Sequence, residues 1–201
     1  SRKAPKMTGT AAATTAVNNA TTATLQINGS GSFISGADSY RIFEIQAGDV
    51  TLTNITLQNG LATSLTCMNN PFACGGAIFV DEDGTVTLTD VTVKDSQAAH
   101  GGGVAVDGGV LVVNSSTISG NSATETGSAI LGASSNVTIG KSTISGNSGA
   151  ASYRGFFSVT NIGNSTIANN SNAGGSTGLS LLAASTTLRN SIVADNTGGN
   201  N

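Results

Sequence analysis

Eleven carboxylates, one histidine and two cysteines carry the acid, base and metal-ligand chemistry open to this 201-residue chain. Cleavage of a polysaccharide would need clustered carboxylates for general acid-base work or for Ca²⁺, together with a base or cation beside them. The acids are Asp38, Glu44, Asp49, Asp81, Glu82, Asp83, Asp90, Asp95, Asp107, Glu125 and Asp195, and only "DEDG" at 81–84 is dense. One short acidic segment supplies too few ligands for Ca²⁺, so DEDG is expected to be a polar turn. His100, in "AAHGGG", is expected to be a solvated turn residue. Cys67 and Cys74 have no further Cys or His nearby and are expected to form a local disulfide in an extracytoplasmic chain. No catalytic residue, metal or cofactor is assigned, and the chain is expected not to be an enzyme.

The elements that must position any site come from an internal repeat. STISGNS occurs at 116–122 and again at 142–148, an offset too long for a helix or strand period and too short for a domain. The apolar residues Leu52, Leu88, Val113, Ile139, Ile162 and Leu188 mark the repeat. A second rank, Leu57, Val93, Ile118, Ile144, Ile167 and Val193, follows five residues later, and a third is read at Ile78, Val104, Ile130, Phe156 and Leu179. Each run alternates apolar and polar with period two, as in Val86-Thr87-Leu88-Thr89, the pattern of a half-buried strand. A strand this short cannot bury its apolar face alone, so successive repeats must stack into ladders. The expected fold is all-β: a single-stranded right-handed parallel β-helix, a β-solenoid with three short strands per coil and about 25 residues per coil. Leucine-rich repeats have a similar period, but β-branched residues lead here and no 3.6-residue periodicity separates the strands.

Residues 1–23 read as an N-terminal tail or first irregular coil, and 24–201 as the helix, with a Cys-containing insertion at 61–74. Asn121, Asn147, Asn170 and Asn196 recur three residues beyond the second rank and are expected to form an Asn ladder, turning each coil in the left-handed conformation and bonding from coil to coil. Thr56, Thr92, Thr117, Thr143 and Thr166 form an outward column. It reads either as a cross-strand Thr ladder on a wet face or as a hydroxyl array for ice or a glycan, and the neighbouring column, Thr51, Thr87, Val112, Thr138, Asn161 and Thr187, is broken twice.

The composition excludes some partners. Net charge is −3 with eight basic residues, three of them Arg2, Lys3 and Lys6 at the N-terminus, so the phosphate-neutralising clusters of a nucleic-acid binder are missing. No apolar run reaches the ~20 residues of a membrane-spanning helix. Recurrent Val and Ile argue against disorder despite 27 glycines. Sequons at Asn54, Asn114, Asn136 and Asn164 leave glycosylation open.

GGAI at 75–78, GGGV at 101–104, the recurring "ISGN", "IANN" and "VADN", and the segment "YRIFEIQAGDVTLTNITLQNG" at 40–60 resemble the repeats of secreted bacterial right-handed β-helix proteins. The likeness is to the polymorphic outer-membrane protein and autotransporter passenger type. It implies extracellular or cell-surface display and a structural or adhesin-like role, with a cell-surface glycan or protein as partner, or a second copy of the chain stacked end to end.

Overall fold

The computed structural model describes residues 15–18, 24–62, 74–172, 175 and 177–198, with backbone only for 15–18. One coil runs through Val104–Asp107, Val110–Asn114, Thr117–Ser119 and Ser122–Thr126. The next begins at Ile130–Ala133, directly against Val104–Asp107 in parallel register. Every inter-coil pairing is parallel, and the chain winds into an all-β right-handed parallel β-helix. In the N-terminal coils the strands run on through the corners, as in Phe43–Gln58 and Ile78–Thr89.

The first rank stacks as expected: Ile27, Leu52, Leu88, Val113, Ile139, Ile162 and Leu188 pair in sequence from coil to coil. The second stacks in the same way, from Ile34 and Leu57 through Val93, Ile118, Ile144 and Ile167 to Val193. Val110–Asn114 shows why: Leu111 and Val113 are buried between outward Val110, Val112 and Asn114, and each such side chain contributes ~1.5–3 kcal/mol on leaving water. Leu188 keeps its register but is 45% exposed, because it lies in the last described coil.

The third rank departs from the reading at one position. Phe43, Ile78, Val104, Ile130, Tyr153 and Leu179 form the column, with Tyr153 in place of the expected Phe156. Phe156 instead pairs with Ala133 and Leu182 in an outward column. The cause is a short corner. From Asn147 to Tyr153 is 153 − 147 = 6 residues, whereas from Asn121 to Ile130 and from Asn170 to Leu179 is 9. Tyr153 is fully buried, and its hydroxyl bonds Thr160, a buried polar residue that follows Leu111 and Val137 in their column and precedes Thr186. Gly132, one coil earlier, leaves room for the ring: a Cβ there would lie 3.1 Å from the Tyr153 hydroxyl.

Beyond the Asn corner a further small sheet forms from Leu61–Ala62, Gln97–His100 and Ser122–Thr126, continued by bridges at Ser148, Ser171 and Thr197. Leu61 and Ala62, placed in the insertion by the sequence, are therefore regular strand residues, and 63–73 lie outside the described residues. The glycines of GGAI and GGGV serve this corner. Gly75 has φ +56, and a Cβ on it would stand 2.0 Å from Ile78 O. Only glycine both adopts that backbone and clears that contact.

Candidate functional site

The recurrent Asn residues face inward. Asn147 Oδ1 accepts from the backbone N of Asn121 and from its Nδ2, both at 3.0 Å. Asn170 Oδ1 does the same for Asn147, and Asn196 Oδ1 for Asn170. Each Nδ2 also reaches a second-rank carbonyl of the preceding coil, Val93 O for Asn121 and Ile118 O for Asn147. Ser96 continues the ladder toward the N-terminus, its N donating to Asn121 Oδ1 and its Oγ accepting from Gly60 N. The left-handed conformation belongs to the preceding residue, Asp95, Gly120, Gly146, Asn169 or Asp195, and not to the ladder Asn as the sequence suggested.

A second ladder escaped the sequence reading. Ser116, Ser142, Ser165 and Ser191 each accept at Oγ from a backbone N one coil earlier and donate to the carbonyl two residues before themselves. Its signal was the first letter of the repeated S-T-I, overlooked beside the Thr. Both ladders satisfy corner amides that the sheets leave over.

The groups singled out for chemistry do not converge. Among the described residues no three of His, Cys, Asp and Glu gather as a metal site. Asp81 and Glu82 form a bulge inside Ile78–Thr89, between the pairs Ile45 with Val80 and Ala47 with Asp83, and not a free turn. His100 is 9% exposed and so is not the solvated residue expected. Its Nδ1 lies 2.9 Å from Thr126 Oγ1, and burial lowers its pKa, with Glu125 opposing that shift. Of the expected Cys67–Cys74 disulfide, Cys67 lies outside the described residues, but Cys74 is disulfide-bonded. Cys74 itself is fully buried against Ala62 and Ala98 and is not a free thiol. The Arg41 Nε donates to the carbonyls of Cys74 and Gly75, and its guanidinium covers the Phe79 ring at 5.2 Å.

The outward columns hold the surface chemistry. Thr56, Thr92, Thr117, Thr143 and Thr166 stack in one column, ended by Phe33 and Ile192. Beside it runs Gln58, Lys94, Ser119, Ser145 and Ala168, so no two-column threonine lattice forms. The adjacent face is wider. Its central column, Thr51, Thr87, Val112, Thr138, Asn161 and Thr187, is flanked by Thr53, Thr89, Asn114, Gly140, Gly163 and Arg189. Two glycines between Asn114 and Arg189 leave a gap in that second column. The result is an open slot of about 400 Å³ over Gly140 and Gly163, edged by Thr138, Asn161, Asn164, Thr187, Lys141 and Arg189. Neither carboxylate nor apolar side chain projects into it beyond Ile139 and Ile162, which point to the core.

A second hollow opens on the third-rank face, where Ala133 stands in column between Asp107 and Phe156. It encloses about 230 Å³, lined by Asp107, Thr126, Leu131, Ala133, Ser134, Arg154 and Phe156. Next to Phe156, Phe157 is 60% exposed with φ 49, at a corner where other coils carry Gly108, Ser134 and Ala183. A bulky residue held in that conformation costs on the order of 1–3 kcal/mol. Its ring meets Phe156 edge-to-face at 4.6 Å and 87°.

Compared with known proteins, residues 42–200 match the family model described as "Right handed beta helix region". No curated protein and no solved structure matches the chain.

Proposed function

The chain belongs to the right-handed β-helix family, and from that premise we propose that it is a non-enzymatic, extracellular or cell-surface scaffold of adhesin-like type that holds a glycan chain along its outward face. The observation that carries this reading is the slot over Gly140 and Gly163. Its walls are amides and hydroxyls, which donate to and accept from sugar hydroxyls, and its two edges are the Lys141 and Arg189 cations, which favour anionic substituents. Neighbouring Thr and Asn columns repeat the same chemistry at the ~4.8 Å coil spacing, so weak contacts along one polymer add through avidity. The likeness of GGAI, GGGV and the "ISGN" type motifs to outer-membrane and autotransporter passenger repeats supports display at a cell surface. Surface localisation and the absence of catalysis are parts of this same proposal.

The test fills the slot without disturbing the fold. Gly163 has an ordinary backbone and a Cβ on it would meet nothing within 4 Å, so Gly163→Leu projects a side chain into the slot. Retention of the wild-type protein on immobilised acidic polysaccharides, lost in Gly163→Leu at an unchanged melting temperature, is the expected result. Equal retention of the two proteins would remove the slot from the proposal.

A second reading, end-to-end association with another copy, draws on the exposed Leu181, Leu182, Leu188 and Ile192 of the last described coil, an edge of the kind another parallel strand can cover.

A further inference from the structure

The geometry points to a separate binding pocket for a single neutral sugar ring bearing an acetamido group, in the hollow between Asp107 and Phe156. The hollow exists because of one small residue. Ala133 sits one coil from Asp107 on one side and one coil from Phe156 on the other, so the two larger side chains stand about two coil spacings, ~10 Å, apart. That gap and a volume of about 230 Å³ suit one pyranose ring and a substituent, and are too small for a chain segment.

The lining selects the chemistry. Leu131 and Ala133 are buried and form an apolar floor, and Phe156 forms an apolar wall. Polar groups converge from the rim: the Asp107 carboxylate, the Arg154 guanidinium, and the hydroxyls of Ser134 and Thr126. A mostly apolar concavity with a few placed polar groups is the usual form of a small-ligand site. The carboxylate and guanidinium cancel in charge, which favours an uncharged ligand carrying both donors and acceptors. An acetamido sugar meets each requirement: its methyl fits the apolar floor, its amide and ring hydroxyls meet the rim, and its ring C–H face suits an aromatic surface. Arg154 is held in place by its bond to the Ser180 hydroxyl, and Thr126 by His100.

Phe157 supplies the independent observation. Other coils place Gly108, Ser134 or Ala183 at this corner, and none of these strains the backbone by its bulk as phenylalanine does. Packing explains the choice only in part, since the ring meets Phe156 edge-to-face yet stays 60% exposed. Strained, solvent-facing and packed edge-to-face on the Phe156 wall, it would extend that wall outward for a sugar ring. Backbone outliers of this kind cluster at ligand sites.

Saturation-transfer NMR of the full chain with methyl N-acetyl-β-glucosaminide, and with methyl β-glucoside as comparison, tests the assignment. Wild-type protein is expected to transfer saturation to the acetamido methyl and to bind the acetamido sugar at least ten-fold more tightly than the plain glucoside. Ala133→Leu, which fills the hollow, is expected to abolish transfer, and Phe157→Ala to weaken binding several-fold. Phe157→Ala is sure to be accommodated, because Ala183 occupies the same corner two residues after Leu181. Gly163→Leu is expected to leave this binding unchanged, which separates the pocket from the polysaccharide slot. No transfer to the acetamido methyl, equal binding of the two glycosides, or undiminished binding in Phe157→Ala would each overturn the proposal.

Discussion

Tyr153 and Thr160 place a phenol and a hydroxyl inside a largely aliphatic core, bonded to each other and with Ser158 Oγ 3.5 Å from Thr160. Burial raises the Tyr153 pKa above its usual 10, and the bonds to Thr160 and Ser158 only partly oppose that. A phenol whose folded pKa lies above its unfolded one binds its proton more tightly in the native state. Its contribution to stability is therefore complete below pH 10 and is lost as the pH climbs through the folded value. Denaturant titrations from pH 8 to 11 should show stability falling along the alkaline limb, and Tyr153→Phe should flatten that fall. An alkaline limb identical in the two proteins would contradict the assignment. Thr160 also shows a limit of sequence reading: after Leu111 and Val137 in its column it looks like a core defect, and it makes sense only once the ring from the neighbouring sheet is known to reach it.

Corners, more than strands, set this fold apart from a generic stack of β-ladders. Replacing Asn147 by Leu deprives Asn121 of the acceptor for its backbone N and of one for its Nδ2, and removes one donor to the Ile118 carbonyl. With buried polar groups left unpaired, the expected loss is about 2–3 kcal/mol. Ser119→Leu, on the outward face one turn earlier, should cost much less, and urea melts of both variants check the contrast. The first two ranks and this ladder were legible in the sequence because all three keep a constant offset, five residues between ranks and three more to the Asn. The third rank failed at Phe156 because the corner between Asn147 and Tyr153 is three residues short, so a reading anchored on "Gly then apolar" chose the next apolar residue. The left-handed residue was misplaced by one, because Asn is among the few side-chain-bearing residues that tolerate that conformation, while the Gly120 and Gly146 that adopt it have no Cβ to resist it. Neither the slot nor the hollow was read at all. Both come from small residues stacked across coils, Gly140 on Gly163 and Ala133 between Asp107 and Phe156, and such gaps appear only when outward columns are aligned as carefully as inward ones.

Across the whole molecule, charge and exposure are unevenly shared. From residue 127 onward the chain carries Lys141, Arg154 and Arg189 against Asp195 alone, while ten of its eleven acids precede that point. Most of the lining of both hollows lies in this cation-rich part. At its far end the exposed Leu188 and Ile192 underlie the second reading: sedimentation velocity over a wide concentration range should show growing species if copies stack, and Ile192→Lys should suppress them, whereas a single sharp boundary at every concentration would count against stacking. A contact between unlike ends propagates and does not close. The corner after the Asn ladder has a different implication. It is where the chain gains the residues between Ala62 and Cys74 and where it loses three before Tyr153, while the first and second ranks stay in register from coil to coil. Apart from small bulges such as that at Asp81 and Glu82, the large insertions and deletions thus fall on a single seam along the solenoid. Such a seam is a place for inheritance to be edited cheaply: a lineage can vary what it shows along that edge, and an engineer can graft a peptide there, without rewriting the sheets that hold the rest in place.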